Sequence, residues 1–503
     1  MEASPSGGPG LKRSLSVWAA VGISVALMAP SMAANINPQG SALHAGRAVP
    51  LTFLIAAVGV LLVAYSFVRL CQYFHHAGSV YAFVGATLGP RTGVIAGWGL
   101  LGTYTFYAVV TSSAAGIFGT AFLQEVKIWP NPPTWAPFVL VAVALVVSLL
   151  LAIIPARRGA GVLLSVEGTT VALILIVTAV VLVRLLAGSA PTHQHFTWSV
   201  FSVAPGTGTN DLFLGVVFGF LSFAGFEAAA TLGEEAKRPT RDIPRAILGT
   251  AVFGGVYFVI VTAVEMMAFG TSPAGVKAFI GSPSLLGDLS SSFVGNWVGD
   301  VITLGTAISA FGCCLACVVG AARLLYALSR DTAGPRGLGQ SSSRWGTPVP
   351  ATFAVTGMAA IIVIIETAVE AHAAAFDSFV WSGTIGTLIL LVVYVLATVG
   401  CIMLVFVRHK LPVPMWQIIV PIASLVVLGY TLYRNVWPYP SGTAAWFPIV
   451  SGVWLLVVVV AVLFAPATAR RLGAALAERE GIVAPGTEDA APPRLAAARD
   501  DTP

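Results

Sequence analysis

The stretch FLGVVFGFLSFAGFEAAATLG, residues 213 to 233, is apolar and long enough to cross a membrane, yet Gly219, Ser222 and Gly225 surround Phe223 in its middle and Glu227 follows. Hydrocarbon tolerates neither freed backbone groups nor an ionisable side chain, so a break of this kind belongs where the helix lines a protein cavity. A second apolar stretch is interrupted in the same way. VGISVALMAPSMAANINPQG, residues 21 to 40, carries Pro30 near mid-membrane with small residues around it. The two lie five helices apart, and interrupted helices at corresponding positions of two halves point to the substrate site of a transporter.

The rest of the chain supports a membrane setting. Of 503 residues, 57% are hydrophobic and 9% charged, and the mean hydropathy is +0.89, whereas soluble domains carry roughly 25% charged residues. Apolar runs of about 20 residues, the length that spans the hydrocarbon core, give about twelve transmembrane helices, numbered in order at residues 17–34, 49–70, 93–122, 136–154, 162–186, 212–232, 246–269, 301–329, 351–371, 376–407, 418–433 and 446–464. No segment shows the short alternating pattern of a transmembrane β-barrel, so the expected fold is all-α. The expected organisation is a tail over residues 1–13, a transmembrane domain over 14–466 and a largely disordered tail over 467–503. That last segment mixes proline, alanine and charge without periodicity. Helix 1 lacks a small-residue cleavage site at the expected distance and is read as part of the mature protein.

Charge distribution sets the expected orientation. With the N-terminus inside, 21 of the 26 Lys and Arg residues fall on the cytoplasmic side and 5 outside, as basic residues near helix ends are retained in the cytoplasm. Both termini are therefore expected in the cytoplasm, in a multi-pass protein of the cytoplasmic (inner) membrane. The net charge of +5 is a topology signal scattered over short loops and implies no nucleic-acid partner. The five cysteines, Cys71, Cys313, Cys314, Cys317 and Cys401, lie in or beside apolar segments and read as small, soft packing residues rather than metal ligands or disulfides.

Three stretches carry a family resemblance. GFEAAATLGEEAKRPTRDIPRA, residues 225 to 246, resembles the signature of the amino acid-polyamine-organocation superfamily, in which Gly-Phe-Glu at a helix break leads to Glu-Glu, a basic-Pro pair and Ile-Pro-Arg. HHAGSVYAFVGATLGPRTGVIAGW, residues 75 to 98, is similar to that family's loop between helices 2 and 3. ARLLYALSRDTAGP, residues 322 to 335, resembles its helix 8 exit. The resemblance implies a core of five plus five helices in inverted repeat, as in leucine-transporter-like proteins, with two further helices. It implies a secondary transporter for an amino acid or related small amine, driven by protons or by exchange, with no cofactor and no enzymatic step.

The chain departs from the pattern in three places. His75-His76 stand where Pro-Arg is usual, Ser79 stands for the second Gly of the Ala-Gly-Gly that follows, and Met28-Ala29-Pro30-Ser31 replace the Gly-Ser-Gly of the helix 1 break. Gly-Ser-Gly lets backbone amides approach a substrate carboxylate closely. Its replacement widens the expected cargo from α-amino acids to amines.

Helix N-termini attract carboxylates and freed carbonyls attract ammonium groups. On that basis the expected substrate contacts are Ala26, Met28, Ala29, Pro30 and Ser31 on helix 1, and Leu221, Ser222, Phe223 and Gly225 on helix 6. Tyr104, Tyr107 and Ser382 are candidate cavity walls. Glu227 reads either as a proton-coupling or gating residue, because charge inside a spanning helix is costly, or as an acceptor bracing the broken helix. Glu167 and Glu265 are expected to be paired structurally, and Glu366 and Glu370 to be exposed near the outer end of helix 9. No lysine lies in helix 5, and helix 8 has Cys313-Cys314 where adjacent hydroxyls would suit sodium, so no metal site is evident. The seven histidines read as loop residues and offer no enzyme-like constellation. A substrate sensor that keeps the fold without turnover, or a transporter of polyamines or organocations, fits the same profile.

Overall fold

The computed structural model describes residues 16–74, 80–154, 159–208, 210–232, 236–331, 337–342, 346–370 and 373–464. His75, His76, Ala77, Gly78 and Ser79 lie outside the described residues, as do the acidic pair Glu234 and Glu235 and both terminal tails. Among the described residues the fold is helical throughout. In chain order the helices are α1 (Val17–Met28), α2 (Pro30–Ala45), α3 (Val49–Tyr73), α4 (Val80–Leu88), α5 (Pro90–Glu125), α6 (Ala136–Ile153), α7 (Gly159–Leu186) and α8 (Leu212–Phe223). There follow α9 (Pro239–Phe269), α10 (Pro273–Gly281), α11 (Leu285–Phe293), α12 (Asn296–Asp331), α13 (Val349–Val369), α14 (Ala375–Ile402), α15 (Ile419–Val436) and α16 (Trp446–Phe464).

Eleven helical stretches are long and apolar enough to cross a membrane. The first runs from Ala20 to Tyr73, 54 residues. At 1.5 Å per residue that is about 80 Å, more than twice the ~30 Å hydrocarbon core. It also turns at Gly46, whose φ of 54° only glycine adopts without strain, so it has the length and the bend for two crossings.

Burial sorts the interior from the rim. In their most apolar eighteen-residue windows, the stretches at 212–231 and 90–125 are 83% and 78% buried, against 28% at 136–153, 22% at 415–436 and 17% at 442–464. α5 is therefore central, packed against α12 and α14, with α3 against α9 and α2 against α8. α6, α15 and α16 present Val139, Val143, Val426 and Leu456 outward, as expected of surfaces solvated by lipid tails.

Three expectations need correction here. Hydropathy ended the first segment at Ala34, but α2 continues to Ala45 through Asn35, Asn37, Gln39 and Ser41, all buried. These polar residues face protein. Asn35 Nδ2 donates to Ser284 Oγ and Thr306 Oγ1, both at 3.1 Å, and Asn35 Oδ1 accepts from the Leu286 amide at 2.9 Å. Gln39 Nε2 donates to the Ser282 carbonyl at 2.6 Å. α2 is thus fastened to α10 and α11, two short helices that hydropathy does not show. The supposed loop at residues 75–98 likewise contains α4 and the start of α5, joined at Gly89 with φ 103°. His44, read as a loop residue, lies in the last turn of α2.

Candidate functional site

The two broken stretches meet. α1 ends at Met28, Ala29 takes a left-handed conformation (φ 45°, ψ 59°), and α2 starts at Pro30. Proline at a first helical position is favoured because its missing N–H would be unpaired there anyway, whereas a left-handed alanine stores strain. α8 ends at Phe223, and Gly225 (φ 103°) leads into a short 3-10 helix at Phe226–Leu232. A Cβ on Gly225 would stand 2.9 Å from Leu27 Cγ and 3.1 Å from the Leu27 carbonyl carbon, so only glycine lets the breaks lie this close. Gly254 of α9 serves similarly, since a Cβ there would meet Met28 and Phe223.

Broken helices leave backbone groups that must find partners when buried, and here side chains supply them. The Gly225 amide donates to Glu227 Oε2 at 3.2 Å, and the Ala229 amide to Ser24 Oγ at 2.9 Å. On the helix 1 side, Cys313 Sγ donates to the Leu27 carbonyl at 3.3 Å and Tyr257 OH to the Pro30 carbonyl at 3.3 Å. The Ser31 amide donates to Glu167 Oε1 of α7 at 2.9 Å.

Between the breaks lies a small cavity of about 30 Å³, bounded by Leu27, Met28 and Met32 of α1 and α2, Leu221, Ala224, Gly225 and Glu227 of the helix 6 region, α5, α12 and Leu390 of α14. That holds about two water molecules. From α5 come Thr103, Tyr104, Tyr107, Val110 and Thr111, and from α12 Cys313 and Cys317. Glu227 is 4% exposed, and its Oε2 also accepts from Tyr394 OH at 3.1 Å. The Tyr394 ring is held between Phe67 and Phe226, each 5.8 Å away between ring centres, a spacing at which edge-to-face contacts are favourable.

Of the residues singled out from sequence, Met28, Leu221, Gly225, Glu227, Tyr104 and Tyr107 line this cavity. Ala26 and Ala29 shape the helix 1 break, the Ala29 amide donating to the Ala26 carbonyl. The carbonyl of Pro30 and the amide of Ser31 are turned to α9 and α7, where Tyr257 and Glu167 hold them. Ser222 accepts from Asn37 Nδ2 at 2.6 Å, and Phe223 packs on Phe258 at 5.3 Å. Ser382 donates to Glu366 Oε1 at 2.7 Å. The last contact corrects the reading of Glu366, which is buried on α13 against α14 instead of exposed. Glu265 also departs from expectation: it is 1% exposed, and among the described residues neither carboxylate oxygen has a hydrogen-bond partner.

Sequence reasoning passed over Thr103, Thr111, Met32, Leu390 and the bond from Ser31 to Glu167. The bond escaped because Ser31 and Glu167 are 136 residues apart and no periodicity links them.

A family profile described as amino acid permease matches residues 15–464. The chain is 29% identical, over 61% of its length and 66% of the relative's, to the branched-chain amino acid permease BcaP of Lactococcus lactis subsp. cremoris. It is 30% identical to an uncharacterised transporter of Mycobacterium tuberculosis over 73% of this chain and 77% of the relative. The low-affinity putrescine importer PlaP of Escherichia coli is 26% identical over 70% of this chain and 75% of the relative.

Proposed function

This chain belongs to the amino acid permease family, and from that premise we propose that it moves an amino acid or related small amine across the cytoplasmic membrane by alternating access. The observation that carries the reading is the meeting of the two broken helices at a cavity holding one carboxylate, Glu227. Helix breaks at matched positions mark the midplane site of transporters built from inverted repeats, which supports twelve crossings in a five-plus-five arrangement with two further helices. BcaP and PlaP, by their names, take branched-chain amino acids and putrescine, and both classes share the ammonium group that Glu227 suits.

The cavity is narrow, about 30 Å³, and in this reading substrate entry widens it by parting α1, α2 and the helix 6 segment from α5 and α12. Glu227, costly to bury in its charged form, is the candidate proton carrier, in symport or in exchange of one substrate for another. Both termini face the cytoplasm in this reading.

The test is uptake into proteoliposomes of a labelled panel of amino acids and amines, with and without an imposed proton gradient. Concentrative uptake of at least one class is expected, and transport of none would reject the proposal. Gradient-driven uptake by Glu227→Gln equal to that of the unaltered chain would remove the coupling role while leaving the transport reading intact.

A further inference from the structure

Two separate observations bear on which of the two substrate classes fits. The first is at α2. Its N-terminal end is where a substrate carboxylate would find free amides, yet the Ser31 amide is already bonded to the buried Glu167 carboxylate at 2.9 Å. An oxygen acceptor on a helix N-terminal amide satisfies a donor that the helix itself leaves unpaired. A substrate carboxylate arriving there would find that amide already taken and would have to displace Glu167 from it. The second observation is the cavity wall. Among the described residues it carries one carboxylic acid, Glu227, and no Lys, Arg or His, while Tyr104 and Tyr107 contribute aromatic rings. Carboxylate and aromatic faces attract ammonium groups, and the wall offers a substrate carboxylate hydroxyl donors but no cationic partner.

We infer that Glu167 is a specificity-determining residue that caps helix 1 from within and restricts the substrate to amines lacking an α-carboxylate. The inference rests on the transport reading above and narrows it. Glu167 acts through α2 and is a positioning residue. Its oxygen holds the amide that would otherwise recruit a carboxylate, and Glu227 takes the ammonium.

The experiment uses matched pairs that differ by the carboxylate: leucine with isopentylamine, phenylalanine with phenethylamine, and ornithine with putrescine. Each is supplied to proteoliposomes of the full chain and also as a competitor. The amine of at least one pair is expected to be taken up at least ~100-fold more efficiently than its amino acid, because the carboxylate finds its amide donor already taken and is buried without that bond. Glu167→Ala frees the Ser31 amide and is expected to lower that ratio at least ~10-fold. Glu167→Gln keeps an oxygen acceptor and is expected to keep most of the preference, which a merely structural role would not distinguish from the alanine variant. Should the alanine variant fail to fold, the pairs measured on the unaltered chain still decide. Uptake of the amino acids equal to or better than the amines overturns this inference and leaves the transporter standing. Uptake of neither member of any pair, nor of any other amine or amino acid, rejects the transport reading itself.

Discussion

Gly225 and Tyr394 show how much of the site is held by single residues. At Gly225 the positive φ and the Leu27 contact act together, so Gly225→Ala combines backbone strain with a clash against Leu27. Strain of this type costs about 1–3 kcal/mol, and the clash pushes the two breaks apart. The variant should therefore melt earlier in detergent and show reduced uptake, and unchanged melting would mean the breaks are not in contact. Tyr394→Phe is gentler, since the ring keeps its place between Phe67 and Phe226 and only the bond to Glu227 is lost. A hydrogen bond to a charged group contributes about 1.5–3 kcal/mol. The expected outcome is a KM for uptake raised ~10-fold with little change in melting temperature. An unaltered KM would detach Tyr394 from substrate recognition.

The helical element with most consequence is α2. From sequence its start was readable, because a proline among small residues removes a backbone donor and interrupts the helix that an apolar run would otherwise continue. Its length was not, because Asn35, Asn37 and Gln39 resemble the polar start of a loop until their partners on α8, α10 and α11 are known. Glu366 misled for a related reason: nearness to a helix end was taken for exposure, whereas Ser382 lies across from it. Asn35 tests the fastening of α2 directly. Asn35→Ala leaves the Leu286 amide and the Ser284 and Thr306 hydroxyls short of a partner, and unmade buried bonds cost about 1–3 kcal/mol each. A loss of about 3 kcal/mol in unfolding free energy is expected, read as a lower melting temperature and faster proteolysis around α10 and α11. Wild-type resistance at that hairpin would show that the bonds carry no stability. Asn35→Asp, which keeps the acceptor for Leu286 and loses the donor, should fall between the two.

At the scale of the molecule, the class of fold was legible because the bilayer demands long apolar helices and leaves few alternatives. The assembled cavity was legible only in part. Met28, Leu221, Gly225 and Glu227 follow from the breaks themselves, while the contributions of α5, α12 and α14 depend on packing between segments far apart in sequence. Orientation is the remaining molecular property that sequence alone addresses, through 21 basic residues on one side and 5 on the other. The fold makes it measurable, because all five native cysteines are buried and give a bulky, membrane-impermeant maleimide little to react with. Lys277 on α10 and Lys410 after α14 are both exposed and are assigned to opposite faces. In intact cells Lys277→Cys should label at once, and Lys410→Cys only after the membrane is opened. The reverse pattern would invert the molecule, and equal labelling of both would place α10 and the segment after α14 on one side, contradicting an odd number of crossings between them.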